Sequence, residues 1–357
     1  MRPTVAVLST VHHADDTRIR ERLIRSLAKD FHVEYRTRGP GPTDAVDLAW
    51  RELRGSRLSR LARSLYFLAT ATADVISIHD PELIPVAWIA RVRGIPVVFD
   101  LHERFPDQLA EKDWMPWIAR GLARFVAKGA LKFANFAYTV TLAEKGYEAL
   151  FSKGHPLFPN YPLVSGWPAR VPPVKPSIVY VGEVTRQRGL DVAVEAAGLL
   201  GVPIRVVGPV TSSFRAELME LAVASGAQLE LLGRLSNPEA LKEVARASVA
   251  ISPLRPIQNY QESLPTKVLE YVCVGVPVVA SDLPGTREVL GSIKSSFLVE
   301  PESTAALVGG IRAAMEAASQ KAAIDSSPHW REMFQWPDRA VRDFYLSLVL
   351  KSRERAS

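Results

Sequence analysis

The chain has 357 residues, of which 47% are apolar and 23% charged, a composition that excludes disorder and a miniature disulfide scaffold and suffices for two ordinary domains. Its net charge of +6 is concentrated early, with 23 Lys and Arg against 18 Asp and Glu over residues 1–165, which favours an anionic partner there. One cysteine, Cys273, excludes an internal disulfide, the opening MRPTVAVLSTVHH is too short an apolar run for a secretory signal, and no 18 apolar residues run without a charge, so a cytoplasmic protein, peripheral at most to a membrane, is expected.

Short apolar runs alternate with longer amphipathic ones from end to end, the pattern of parallel sheets with helical crossovers. Strands are predicted at 4–9, 31–37, 74–80, 96–102 and 137–141, and helices at 17–29, 57–71, 82–93, 115–134 and 142–151. Residues 161–176 carry five prolines and fit neither a central strand nor a helix interior. A second series follows, with strands at 177–182, 203–208, 228–233, 248–253, 277–281 and 297–300, interleaved with helices. The expected fold is therefore α/β, two doubly wound Rossmann-like domains facing across a deep cleft. The boundaries read 1–162, a linker at 163–176, a second domain at 177–329, and a helical tail at 330–357 able to pack back on the first domain.

The densest chemistry lies at Asn259–Thr286. Glu262 and Glu270 lie eight apart, and Ser263, Leu264, Pro265 and Thr266 form a turn opening a helix that Gly275 stops. Such a helix start suits a phosphate. Lys267 in its first turn opposes the helix dipole unless an anion sits between, and Glu270 is placed to accept hydrogen bonds from a vicinal diol such as ribose. The bland alternative is a set of solvated surface charges. The loop Gly182–Gly189 also sits between a strand and a helix, where Arg188 suits a diphosphate and Arg186 is a second cation. Gly233 and Arg234 end a later strand of the same domain. Neither a dinucleotide fingerprint nor a P-loop occurs.

On the first domain's strand ends lie His12 with Asp16 and Arg18, then His79-Asp80-Pro81-Glu82, then Asp100-Leu101-His102-Glu103. A metal is not expected, since no H-E-x-x-H, C-x-x-C or D-x-D spacing occurs. Asp80 before Pro81 reads as a helix N-cap. Arg51, Arg54, Arg57, Arg60 and Arg63 recur every third residue near Leu58 and Leu65, and Arg120, Arg124, Lys128 and Lys132 every fourth beside Trp114, Trp117, Phe125 and Phe133. Both sets suit an anionic membrane surface; nucleic acid is not expected, because no binding motif accompanies the charge.

HDPEL (79–83), VVFDLHERFP (97–106), DTRI (16–19), NYP (160–162) and SLPTKVLEYVCVGVPVVAS (263–281) together resemble the family 4 retaining glycosyltransferases of GT-B fold, in their bacterial polysaccharide branch. The resemblance runs from Val5 to about Leu307. It implies transfer of a sugar from a nucleotide diphosphate sugar, UDP or GDP type, to a glycan or polysaccharide-precursor hydroxyl, with retention; the basic sets add a lipid-linked acceptor at the inner face of the plasma membrane, and the protein cations leave no cofactor expected. Glu270 is then expected to hold the ribose, Glu262 and the backbone after it the sugar and phosphates, and His102 to lie near the transferred sugar. His12, Asp16, Arg18, His79 and Glu103 fall on the acceptor side. Two places depart from the family pattern: Glu183 and Arg188 stand where an Arg and a Lys are usual, leaving Arg186 or Lys267 to supply the second cation, and HHADDTR (12–18) replaces a glycine-rich turn. A GT-B epimerase and a non-catalytic partner subunit are the alternatives, the latter favoured by Glu183.

Overall fold

A computed structural model describes residues 2–41, 48–102, 105, 117–163, 166–171, 173–261, 265–319 and 327–356. Glu262, Ser263, Leu264, Glu103 and Trp114 lie outside the described residues. The chain divides into two units, residues 1–163 with 336–357 and residues 164–335.

The first unit is built on a parallel sheet of β1 (Thr4–His13), β2 (His32–Arg38), β3 (Ala49–Glu52), β4 (Val75–Ile78), β5 (Val97–Leu101) and β6 (Thr139–Leu142), in the order β3-β2-β1-β4-β5-β6. Val5 pairs with Val33 on one side and Val75 on the other. Residues 75–78 and 97–101 are buried throughout, as continuous apolar strands covered on both faces must be. Helices α1 (Arg57–Thr70) and α2 (Trp117–Ala137) belong to this unit. The helix expected at 17–29 is a π-helical turn, Ile19–Ile24, running into Arg25–Leu27.

The second sheet repeats the topology with β7 (Ile178–Val181), β8 (Ile204–Val207), β9 (Leu229–Gly233), β10 (Val249–Ser252), β11 (Val278–Ser281) and β12 (Ser296–Val299), ordered β12-β11-β10-β7-β8-β9. Around it lie α3 (Leu190–Leu200), α4 (Ser212–Ser225), α5 (Asn237–Ala245), α6 (Thr266–Val274) and α7 (Thr304–Ser319). Each strand order reverses once, between β1 and β4 and between β7 and β10, and such reversals are where open α/β sheets bind ligands.

The proline-rich stretch differs from expectation, and the tail returns to the first unit as expected but as a broken helix. Val171 N–H donates to the Ala245 carbonyl at the end of α5, so the segment packs on the second unit instead of hanging between domains. The stretch 330–350 is interrupted at Trp336-Pro337, because proline cannot continue a helix. Arg331, before the break, donates through Nε to the Cys273 carbonyl at 2.7 Å. After it, α8 (Asp338–Ala356) returns to the first unit, where Trp336, Val341, Tyr345 and Val349 join the core of β1 and β2 and Tyr345 Oη lies 2.9 Å from Ser77 Oγ.

Candidate active site

At the first sheet's reversal, three motifs far apart in sequence meet in one hydrogen-bonded unit. Arg18 grips both oxygens of Asp100, Nε to Oδ2 at 2.7 Å and Nη2 to Oδ1 at 2.8 Å. Its remaining nitrogen, Nη1, donates to Phe158 O at 2.9 Å and Asn160 Oδ1 at 2.8 Å. Thr141 adds a third donor to Asp100 at 2.8 Å. Burial alone would raise the Asp100 carboxyl; the guanidinium overrides it and holds the group well below the usual carboxylate range. Arg18, expected on the acceptor side, is thus a buried anchor. Asp16 likewise turns inward, accepting from Arg18 N–H at 2.9 Å and Ile19 N–H at 2.8 Å to open the π-helical turn.

Asp80 does not cap a helix as its place before Pro81 suggests. Its carboxylate accepts from Thr10 N–H at 2.5 Å, Ser9 Oγ at 2.9 Å and Val11 N–H at 3.3 Å, tying the end of β1 to the end of β4, while the next helical turn starts at Leu83 without a side-chain cap. The tie sets three imidazoles side by side. His12 Nε2 lies 3.2 Å from His102 Nε2 and 3.5 Å from Asp80 Oδ1. His79 Nδ1 lies 3.4 Å from Asp100 Oδ2. Burial lowers the His102 pKa, against the pull of Asp100 and with the push of its histidine neighbours.

These groups form one end of a cavity of about 510 Å³. His12, His79, Asp80, Glu82, His102 and Arg57 line its polar end, and Arg57 Nε donates to Glu82 at 2.7 Å. Phe99, Leu101, Phe105, Val126, Ala127 and Ala130 make the other wall. His12, His79 and His102 therefore face one space, whereas Asp16 and Arg18 support it from behind. His79, Asp100 and His102 also bring ligand-type atoms within 4.8 Å of one another, but both Asp100 oxygens are occupied by Arg18, and a dication there would sit against a guanidinium.

The exposed side of α2 continues the apolar wall outward. Leu122, Phe125, Val126 and Phe136 are exposed on it, as are Arg124, Lys128 and Lys132. At about 100° per residue the apolar four fall within one stripe, with the cations beside it. The other basic series does not form one face. Arg51 lies on β3, Arg57 binds Glu82, and Arg60 donates to Thr10 O and Gly55 O, each at 2.7 Å. Among the described residues, no helix is long and apolar enough to cross a membrane.

In the second unit, the loop after β7 crosses the reversal point. Gly208 at φ +148° and Gly189 at φ +70° permit close approaches, since a Cβ would lie 1.8 Å from Gly182 O in the first case and 1.9 Å from Pro253 O in the second. Beside this loop Lys267 is buried, its Nζ 3.9 Å from the Tyr180 ring centroid and without a hydrogen-bond partner among the described residues. A Cβ on Gly182 would lie 3.5 Å from that nitrogen. Burial, reinforced by Arg188, holds the Lys267 pKa well below its ordinary value. Lys267 is thus a buried amine with no hydrogen-bond partner among the described residues, at the turn where its sequence position already offered it as a cation for an anion.

The other expected donor residues are less free. Arg186 is paired with Asp191 at 3.0 Å and also with Glu217, and Arg188 lies 3.6 Å from Glu183. Glu270 accepts from Asn237 Nδ2 at 3.1 Å, a contact that only the fold reveals. Gly233 ends β9 at φ +70°, Arg234 after it is exposed, and Thr266 opens α6.

Residues 5–146 match the model of the glycosyl transferase 4-like domain and residues 175–317 that of the glycosyl transferases group 1. A D-inositol 3-phosphate glycosyltransferase from Rhodococcus erythropolis is 26% identical over 283 residues, which cover 71% of this chain and 63% of that protein, so the match spans less than two thirds of that relative. Sucrose-phosphate synthase from Thermosynechococcus elongatus has a similar structure, with a TM-score of 0.76, 17% identity and full coverage of both chains. Anabaena HepE, solved with UDP and glucose, gives a TM-score of 0.71 at 13% identity, over 97% of this chain and 99% of that one. With its two Rossmann-like domains of matching strand order, this chain belongs to the family 4 glycosyltransferases of GT-B fold.

Proposed function

We propose that the protein transfers a sugar, with retention, from a UDP- or GDP-type nucleotide sugar to a glycan or lipid-linked acceptor in polysaccharide biosynthesis, without metal, at the cytoplasmic face of a membrane. The observation that carries this reading is Lys267, a buried amine whose Nζ has no hydrogen-bond partner among the described residues, beside the Gly182 loop at the reversal of the second sheet. A buried cation is costly unless an anion joins it. A nucleotide diphosphate supplies that anion, and the binding of UDP by the similarly folded HepE supports the class of ligand.

In the reaction, the bond from the sugar's anomeric carbon to the diphosphate oxygen breaks as the acceptor oxygen bonds that carbon on the same face. The acceptor proton passes to the departing phosphate. Lys267 meets the charge that develops on the diphosphate. Glu270, one turn into α6, is assigned to the ribose. The cavity of the first unit suits the acceptor, its imidazole end meeting hydroxyls and its Phe99, Phe105 and Val126 wall meeting an apolar tail. The α2 stripe of Leu122, Phe125 and Val126 beside Lys128 and Lys132 supports a membrane-borne acceptor. The Glu183 carboxylate beside Arg188 favours a second reading, a subunit that binds nucleotide weakly and acts only in a complex.

Calorimetry with UDP, GDP, ADP and dTDP separates the readings. Binding of one nucleotide, weakened in Lys267→Met and Glu270→Ala, supports the transferase; no binding by the folded protein removes it.

A further inference from the structure

The acceptors around His12 and His102 dictate where the protons of that pair lie. His102 Nδ1 faces the Asp100 carbonyl oxygen at 3.1 Å and an Asp100 carboxylate oxygen at 3.7 Å. Both are acceptors, so this nitrogen carries a hydrogen. His12 Nδ1 lies 3.1 Å from Asp16 Oδ2. Burial would raise the Asp16 carboxyl, but the hydrogen bonds from His12 and Ile19 N–H hold it below the ordinary range, and an ionised carboxylate only accepts; this nitrogen too carries a hydrogen. The two Nε2 atoms are 3.2 Å apart, at hydrogen-bond distance, and two lone pairs do not meet there. One hydrogen lies between them. Three hydrogens on four ring nitrogens make the pair a cation.

We propose that His12 and His102 share one proton between their Nε2 atoms, that His12 carries it as an imidazolium, and that His12 is thereby a positioning residue fixing His102 in the tautomer with hydrogen on Nδ1 and a lone pair on Nε2. The surroundings agree with this assignment. Among the described residues, the charged and titratable groups around the pair are Asp16 from the loop after β1, Asp80 and His79 from the end of β4, Asp100 from β5 with Arg18 behind it, and, at the same end of the cavity, Glu82 paired with Arg57. With Glu82 matched by Arg57, three carboxylates stand against one guanidinium, and an imidazolium offsets part of the surplus. His102 is the more enclosed ring, which leaves the charge on His12.

Both rings line the cavity, so its polar end holds one charge that alkaline pH removes, unlike that of Arg57. Once the shared proton leaves, the two Nε2 lone pairs repel and nothing holds the His102 ring to its partner. The activity consequences rest on the transferase reading given above; the proton positions do not.

Long-range proton–nitrogen spectra of the full chain labelled with 15N-histidine, recorded from pH 6 to 9 and assigned with His12→Gln and His102→Gln, test the placement. The expected result is one ring protonated on both nitrogens and absent from His12→Gln, and a His102 ring with hydrogen on Nδ1 alone. A His102 ring with hydrogen on Nε2 alone, or two neutral rings unchanged across that range, overturns the proposal whether or not sugar is transferred. The second arm is the pH dependence of kcat. The Gln side chain donates through Nε2 at every pH, so His12→Gln loses the alkaline fall of the wild type, while His12→Leu, with no donor, is lowered about tenfold throughout. An alkaline limb unchanged in His12→Gln overturns the positioning role. If the wild type transfers from no donor, the transferase reading fails and the spectra alone decide the proton.

Discussion

Arg18 and Asp100, 82 residues apart in sequence, form a two-point contact with both partners buried. Removing one member strands the other charge away from water, so Arg18→Leu or Asp100→Asn is expected to cost about 3–5 kcal/mol, read from urea midpoints. The sign with pH follows from the lowered Asp100 pKa. Its contribution is full above the unfolded carboxyl value near about 4 and is lost as the pH falls through the folded one. Asp100→Asn should therefore flatten the acid limb of the stability curve. An unchanged limb would show that the pair is not the group titrating there.

Lys267→Met should act with opposite signs on the empty and the liganded protein. Because burial lowers its pKa, Lys267 costs stability while charged in both states, and this cost shrinks as pH rises toward the unfolded lysine value. Methionine fills the space without charge, so the empty protein should gain in melting temperature at pH 7. Nucleotide affinity should drop by about 1.5–3 kcal/mol, the worth of a hydrogen bond to a charged group. A variant that loses stability and keeps its affinity would refute the phosphate role.

Glu270→Ala is expected to weaken nucleotide binding by about 1–3 kcal/mol, as removal of an acceptor from a partly enclosed site does. Asn237→Ala, which removes only the neighbour of Glu270, should change the affinity far less. Equal losses in the two variants, measured by calorimetry, would mean that Asn237 itself meets the ligand.

Turnover should persist in EDTA, because on the proposed reading Lys267 meets the diphosphate, and Asp100, the carboxylate of the histidine cluster, is held by Arg18. Loss of rate restored by magnesium or manganese would revive a metal role for His79 and His102.

Anionic vesicles should retain the wild type at low salt and release Lys128→Gln/Lys132→Gln in larger part, each cation near the surface being worth about 1 kcal/mol. Replacing Phe125 by Ser should weaken binding to the same vesicles. Equal recovery of all three proteins in the supernatant would exclude α2 as the contact.

Period-two and continuous apolar runs made the central strands legible, and the order of motifs made the family legible. The edge strand Ala49–Glu52 was missed because AWRE alternates without a long apolar run and its residues are half-exposed or exposed. The chemistry of single residues was harder to read. Asp80 before Pro81 has the sequence of a cap, yet its carboxylate accepts from the β1 N–H groups of Thr10 and Val11, and the turn at Leu83 has no side-chain cap. Arg18 reads as an acceptor-side residue and is enclosed by Asp100 and Asn160, which no local spacing reveals. Lys267 shows the reverse case: its misfit with the helix dipole is visible in the sequence, and its burial without a hydrogen-bond partner among the described residues is visible only in the fold. Cys273, in a run of apolar residues, reads as packing and is buried, with burial pushing its thiol up to about 12.

The return of α8 to the first unit also orders events during synthesis. Tyr345 closes the core beneath Ser77 and His79, yet it leaves the ribosome only after every strand of the second unit. At roughly 10 residues per second, β1 to β6 wait tens of seconds for their last layer. The domain made first is therefore finished last.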